Sequence, residues 1–238
     1  KQSSKTCLNT VVSIYLNPSQ FAPTEDLKNY PKSVEKDIEQ LSNYQTDGVF
    51  LPDDSEMYPS GFNSIVHLTD LSKVLEGKSR PYFFKGVTTV VSKLFNIVEP
   101  SHAFFGEKDA QQLRVIQQMV IDLNFPIEII SCPIVREENG LAMSSRNSHL
   151  SVSEQKLASI IYRALQDGKN LIISGERDAQ KIREKIIQTI IQESILRVDY
   201  VSIADAETLI EISGNISNNI LVSTAVFLGK TRLIDNFS

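Results

Sequence analysis

Two short stretches hold the residue types that a phosphorylated ligand would need. In "MSSRN" at 143–147, two adjacent hydroxyls and a guanidinium share one loop behind a strand-like apolar run. Such a loop can wrap a polyphosphate and neutralise charge that develops during group transfer. In "FGEKD" at 105–109, an apolar run ends at Gly106 and a helical pattern begins. The free N–H groups at a helix start attract anions, glycine lets a ligand approach the backbone, and Lys108 adds a point charge suited to phosphate. Each stretch also has a plainer explanation: a polar interdomain turn, and a glycine turn with a solvated lysine. Their co-occurrence favours the chemistry, because both follow successive strands, and ligands of open α/β sheets bind outside the carboxyl ends of strands. The string "NPSQF" puts Asn17 and Gln20 after the first strand-like run, where Gln20 can read a small polar substrate. Gln111 and Gln112 fall in the first turn of the Lys108 helix, and one of them can face the same cleft.

These residues need a frame. Short apolar runs at 10–17, 48–52, 102–106 and 127–135 read as strands. Helical spacing appears at 33–44, from 86 onward (Val87, Val90, Val91, Leu94, Phe95, Val98), and at 109–124 (Leu113, Ile116, Val120, Leu123). Strands alternating with helices predict a parallel sheet with right-handed crossovers. A proline-punctuated loop covers 18–31, and 53–83 reads as irregular. After 147 the pattern changes. Ser151 and Glu154 form a capping box, two helices follow, and three strand-like runs end the chain with a tight turn at Gly229-Lys230. The predicted organisation is an α/β domain over 1–134 and a smaller α+β domain over 135–238.

Composition removes several classes. The chain has 238 residues and a net charge of -5, with basic residues dispersed, so a nucleic-acid footprint is not expected. No apolar run approaches the roughly 18 residues that span a bilayer. The three histidines are scattered from the two cysteines, which argues against a zinc site, and Cys7 and Cys132 read as buried thiols of a reducing, cytoplasmic compartment.

The strings "VSIYLNPSQF", "EDLKNYPKSVEKD", "EMYP", "LEGKSRP", "GVTTVVSKLFNIV", "FGEKDAQQL" and "PIVREENGLAMSSRN", in this order, resemble the pantothenate synthetase (pantoate–β-alanine ligase) family, closely over 15–150. "RVDYVSIAD" and "RLIDN" extend the likeness more loosely. The resemblance implies a nucleotidyltransferase-like Rossmann domain with a small carboxy-terminal α+β lid. It implies ATP-dependent condensation of pantoate with β-alanine through a pantoyl adenylate, releasing AMP and pyrophosphate, with Mg²⁺ bound through the phosphates. It places Gln20 and Gln112 on pantoate, with Val87, Val90 and Val91 along its apolar side. Gly106 and Asp109 fall to the ribose, Val135 and Met143 to the adenine, and Lys108, Ser144, Ser145 and Arg146 to the phosphates and the transfer. A homodimer is also implied. Two departures stand out. The family's upstream Pro-Thr-Met-Gly and His-x-Gly-His motifs do not occur here, so an upstream segment is expected and the chain by itself is expected to be nearly inactive. Many members read Gly-His-Phe after the Arg-Pro pair, where this chain has Tyr82-Phe83-Phe84. The alternatives are another adenylate-forming nucleotidyltransferase, or an inactive homologue with a binding role.

Overall fold

The computed structural model describes residues 1–21, 33–217 and 219–238. The proline loop and the start of the "EDLKNYPKSVEKD" string lie largely outside the described residues. The chain divides into two compact units, Lys1–Phe105 with Gln111–Cys132, and Gly106–Ala110 with Pro133–Ser238. The short stretch 106–110 therefore groups with the carboxy-terminal part, unlike a simple cut after 134.

In the first unit, α1 (Ser3–Thr6) leads into β1 (Val11–Ser13), which pairs in parallel with β2 (Gly48–Phe50), while β3 (His102–Gly106) pairs with β4 (Glu128–Cys132). The expected single sheet is thus two separate two-stranded ladders among the described residues. The strands are also shorter than the apolar runs. β1 stops at Ser13, and Asn17 and Pro18 then open a 3-10 turn that cannot continue a ladder. Helix α2 (Val34–Leu41) starts at the Ser33 cap. Two helical turns, α3 (Asp54–Met57) and α4 (Glu76–Ser79), interrupt the stretch that reads as irregular. Four-residue turns are too short to show a 3.6-residue period, although Asp53 and Glu56 do form a reciprocal capping box.

Helices α5 (Phe83–Val98) and α6 (Ala110–Asp122) bury one apolar face each. Phe84, Val87, Val90, Val91 and Phe95 of α5 pack with Val115, Ile116 and Met119 of α6 and with Met57. Leu123 does not point inward: α6 has ended, Asn124 turns the chain at φ 53, and Leu123 is half exposed.

The second unit folds around its own core. Helices α7 (Val152–Ala158), α8 (Ile160–Ile173) and α9 (Ala179–Ile190) cover one face of an antiparallel sheet ordered β5 (Leu196–Asp205), β6 (Ile220–Leu228), β7 (Thr231–Phe237). The two-residue Gly229-Lys230 turn pairs Leu228 with Thr231, and Gly229 supplies the positive φ (59) that such a turn requires. Cys7 and Cys132 are each partly exposed rather than buried.

Candidate active site

Within the second unit a cavity brings together Lys108, Ser144, Arg146, Asn147, Arg232 and Asp235 over an apolar floor that includes Leu141, Ala142, Ile161 and Leu233. Lys108 belongs to a 3-10 turn, Glu107–Asp109, which runs directly into α6. Ser144 caps a second 3-10 turn, Ser145–His149, its hydroxyl accepting from the Arg146 backbone N–H at 3.2 Å. Ser145 lies in that same turn and is exposed; Gly106 and Asp109 flank Lys108. Gly106 has an ordinary φ of -75, and a Cβ added to it would meet nothing within 4 Å, so its neighbourhood is open.

A hairpin precedes the Ser-Arg turn. The Met143 N–H donates to the Val135 carbonyl (2.9 Å), the Glu137 N–H to Leu141, and Gly140 turns the chain at φ 90. This register sets Val135 and Met143 opposite each other, 66% and 48% exposed. Two adjacent exposed apolar side chains make a ledge of the kind a planar base can rest on.

Strand β7 holds both parts in place. Asp235, 3% exposed, receives a bidentate pair from Arg136 of the hairpin (2.7 and 2.9 Å). The Arg136 guanidinium also donates to the Gly140 carbonyl (3.0 Å) and stacks 4.3 Å from the Tyr162 ring. The next residue, Asn236, donates through Nδ2 to the backbone carbonyls of Glu107 (3.0 Å) and Lys108 (2.8 Å). Arg136, Asp235 and Asn236 were given no role by the sequence. Arg136 falls within "PIVREENGLAMSSRN" and the other two within "RLIDN", strings that carry only a family likeness.

In the first unit, Gln20 ends a 3-10 turn that Asn17 builds. The Asn17 side chain donates to the Gly86 carbonyl (3.1 Å) and accepts from the hydroxyls of Ser19 and Tyr58 (both 2.8 Å). Burial raises the Tyr58 pKa, which keeps that donor protonated. The Tyr15 hydroxyl is likewise pushed up, by burial and by the Asp54 carboxylate to which it donates at 2.8 Å. Arg80 donates to the Gln20 carbonyl (3.1 Å) while stacking 4.0 Å from the Phe83 ring. Phe83 thus supports the guanidinium that braces Gln20.

The structure also separates the two glutamines of α6. Gln111 is buried and fully engaged, donating to Leu71 and Val74 (2.8 Å each) and accepting from the Glu76 N–H (2.9 Å). Gln112 is partly exposed, and its side chain has no hydrogen bond among the described residues. Val87, Val90 and Val91 are 1%, 6% and 7% exposed and belong to the core, leaving little surface for a ligand.

The family model for pantoate–β-alanine ligase matches residues 1–238. The chain belongs to the pantoate–β-alanine ligase family. It is 52% identical over 227 residues to a pantothenate synthetase of Acetivibrio thermocellus, covering 95% of this chain and 80% of that protein. It is 50% identical over 226 residues to that of Thermotoga neapolitana, with the same coverage. Among solved structures it is similar to pantothenate synthetase from Thermus thermophilus, at a TM-score of 0.95 and 38% identity over 99% of this chain and 85% of that one. It is also similar to pantoate–β-alanine ligase from Francisella tularensis complexed with β-γ ATP and β-alanine, at a TM-score of 0.78 and 31% identity over 99% and 81%. Membership in the pantoate–β-alanine ligase family supports the α/β two-domain reading and outweighs the alternatives drawn from unrelated adenylate-forming enzymes.

Proposed function

We propose that the chain forms pantothenate from pantoate, β-alanine and ATP in two steps. A pantoate carboxylate oxygen attacks the α-phosphorus of ATP. The new P–O bond forms as the bond to pyrophosphate breaks, leaving a pantoyl adenylate. The β-alanine amine then attacks the acyl carbon, gives up a proton, and AMP leaves with the former anhydride oxygen. The observation that carries this reading is the convergence of Lys108, Ser144 and Arg146 on one cavity in a chain of this family.

Each residue then has a task. Lys108 and Arg146, with the hydroxyls of Ser144 and Ser145, neutralise the phosphates. Phosphoryl-type transfer needs alignment and charge stabilisation more than a strong base. Val135 and Met143 flank the adenine, Gly106 and Asp109 meet the ribose, and Gln20 and Gln112 hold pantoate. The assignment of Val87, Val90 and Val91 to pantoate requires their helix to expose more than it does in this structure.

Mg²⁺ fits as a rider on the ATP phosphates. Among the described residues no group of three His, Cys, Asp or Glu side chains could hold a metal, and the Asp235 carboxylate of the cavity is taken by Arg136. When bound, the ion would add positive charge to the phosphates that Lys108 and Arg146 contact.

A cytoplasmic homodimer is the assembly this reading carries. Among the described residues no helix is long and apolar enough to cross a membrane. Sedimentation velocity of the purified protein should give twice the chain mass.

The adenylate route is tested by isotope exchange between pyrophosphate and ATP. Exchange should require pantoate and proceed without β-alanine. Exchange in the absence of pantoate would overturn the route.

A further inference from the structure

Asn147 is the one residue of the "MSSRN" string to which no substrate contact has been given. It is 6% exposed and lines the same cavity as Lys108. Its amide orientation is fixed by its surroundings: Nδ2 donates to the Ala142 carbonyl at 3.1 Å, which leaves Oδ1 as the other end. Among the described residues that oxygen has no hydrogen-bond partner. A buried acceptor without a donor is destabilising, and a native chain seldom keeps one without a use for it.

Phosphate oxygens are acceptors and cannot fill this place. An amide oxygen needs a donor, and among the described residues the cavity holds unmatched ones on the Lys108 ammonium and the Arg146 guanidinium. Lys108 ends in an ammonium with three donors and no acceptor. No side-chain hydrogen bond or ion pair of Lys108 occurs among the described residues. Its turn is held only through the backbone, by Asn236 on the Lys108 carbonyl. A side chain that long, tethered only at its root, does not by itself place a charge to within the tolerance that transfer requires. Ser144 differs, because its hydroxyl already caps the Arg146 turn.

We propose that Asn147 is a positioning residue for the reaction: its unpaired Oδ1 accepts one N–H of the Lys108 ammonium and aims the remaining two at the transferring phosphate. This inference rests on the reading of Lys108 as a phosphate ligand. It accounts for the buried, unmatched carbonyl oxygen and the unmatched ammonium with a single contact. It also gives the 3-10 turn at 145–149 a second task, carrying the device that orients a lysine from a distant part of the chain.

The test is a double-mutant cycle on the full chain, read by pantoate-dependent pyrophosphate–ATP exchange. Lys108→Ala, Asn147→Ala and the double variant are compared with the parent. Asn147→Ala alone should lower the exchange rate at saturating ATP at least about tenfold, with a smaller change in the KM for ATP. In the Lys108→Ala background the same substitution should change the rate by less than about twofold, because the group it orients is gone. Multiplicative losses would overturn the inference and leave Lys108 as a phosphate ligand. No loss on Lys108→Ala alone would instead overturn the phosphate reading. Melting curves accompany each variant. If Asn147→Ala unfolds at the assay temperature, Asn147→Ser, whose hydroxyl can donate and accept, runs the same cycle with the same expected outcomes.

Discussion

Lys108 and the two glutamines of α6 show how neighbouring residues of similar type divide between chemistry and architecture. Lys108→Ala should lower kcat for pyrophosphate exchange about a hundredfold or more, since a preorganised charge acts most strongly where charge develops. The KM for ATP should rise less; equal losses in both would make Lys108 a ground-state anchor only. Gln112→Ala should raise the KM for pantoate about tenfold, the equivalent of one hydrogen bond of roughly 1.4 kcal/mol, and leave the melting temperature in place. Gln111→Ala should do the reverse. It removes three hydrogen bonds that fasten 71–76 and leaves a Glu76 N–H without its acceptor. A thermal melt and a pantoate titration on the two variants separate the roles. The sequence narrows the choice to this pair; only the packing of the 71–76 segment decides between them. The same limit applies to Val87, Val90 and Val91, whose helical spacing is the same whether the stripe faces a core or a ligand.

At the scale of elements, β7 is the part that organises the second unit. Asp235→Ala would leave the Arg136 guanidinium, whose side chain is 21% exposed, without its carboxylate. Removing one partner of a buried pair costs about 3–5 kcal/mol. The expected result is a lower denaturation midpoint together with loss of exchange activity at temperatures where the variant is still folded, because the hairpin carrying Val135 and Met143 loses its anchor. Unchanged activity in the folded variant would separate the ion pair from the site. Long elements were legible before the structure: α5, α6, the helices after Ser151 and the final hairpin all follow from periodicity, capping and turn chemistry. What the sequence does not show is short or nonlocal. The four-residue turns α3 and α4 have no period to detect. The break between the two strand pairs depends on hydrogen bonds between residues far apart in sequence. Arg136 and Asp235 are 99 residues apart, and nothing local to either announces the other.

Over the whole molecule, acid should act through several separate sites. Hydrogen bonds lower the pKa of Asp53 (from the Ser55 hydroxyl and Glu56 N–H), of Glu154 (from Ser151) and of Glu176 (from the Asp178 and Arg177 N–H groups). A lowered folded-state pKa gives stability that is present above the unfolded value and lost as pH falls through the folded one. The Glu154 and Glu176 contributions are therefore whole above about pH 4.5 and the Asp53 contribution above about 3.8, and each is lost as the pH falls further. His67 is exposed, yet partial desolvation and the nearby Lys85 and Lys73 lower its pKa, so charging it opposes folding from about pH 6.5 downward. Urea midpoints measured against pH should begin to fall below about pH 6.5 and fall again below about 4.5, and His67→Gln should erase the first step alone. A first step that survives that substitution belongs to another group. The positions of Asp235 and Asn236 also bear on how the gene can change. Successive strand residues point to opposite faces, so the hairpin anchor and the lysine-turn anchor are adjacent letters with opposite orientations, paired with Thr224 and Ser223 of β6. Their phase is counted from the two-residue turn at Gly229-Lys230. Point substitutions in that turn leave the count intact, but a single-codon insertion or deletion there would exchange the faces of both anchors at once. Functional descendants of this chain should therefore vary at residue 230, keep glycine or another residue tolerant of positive φ at 229, and keep the number of turn residues at two.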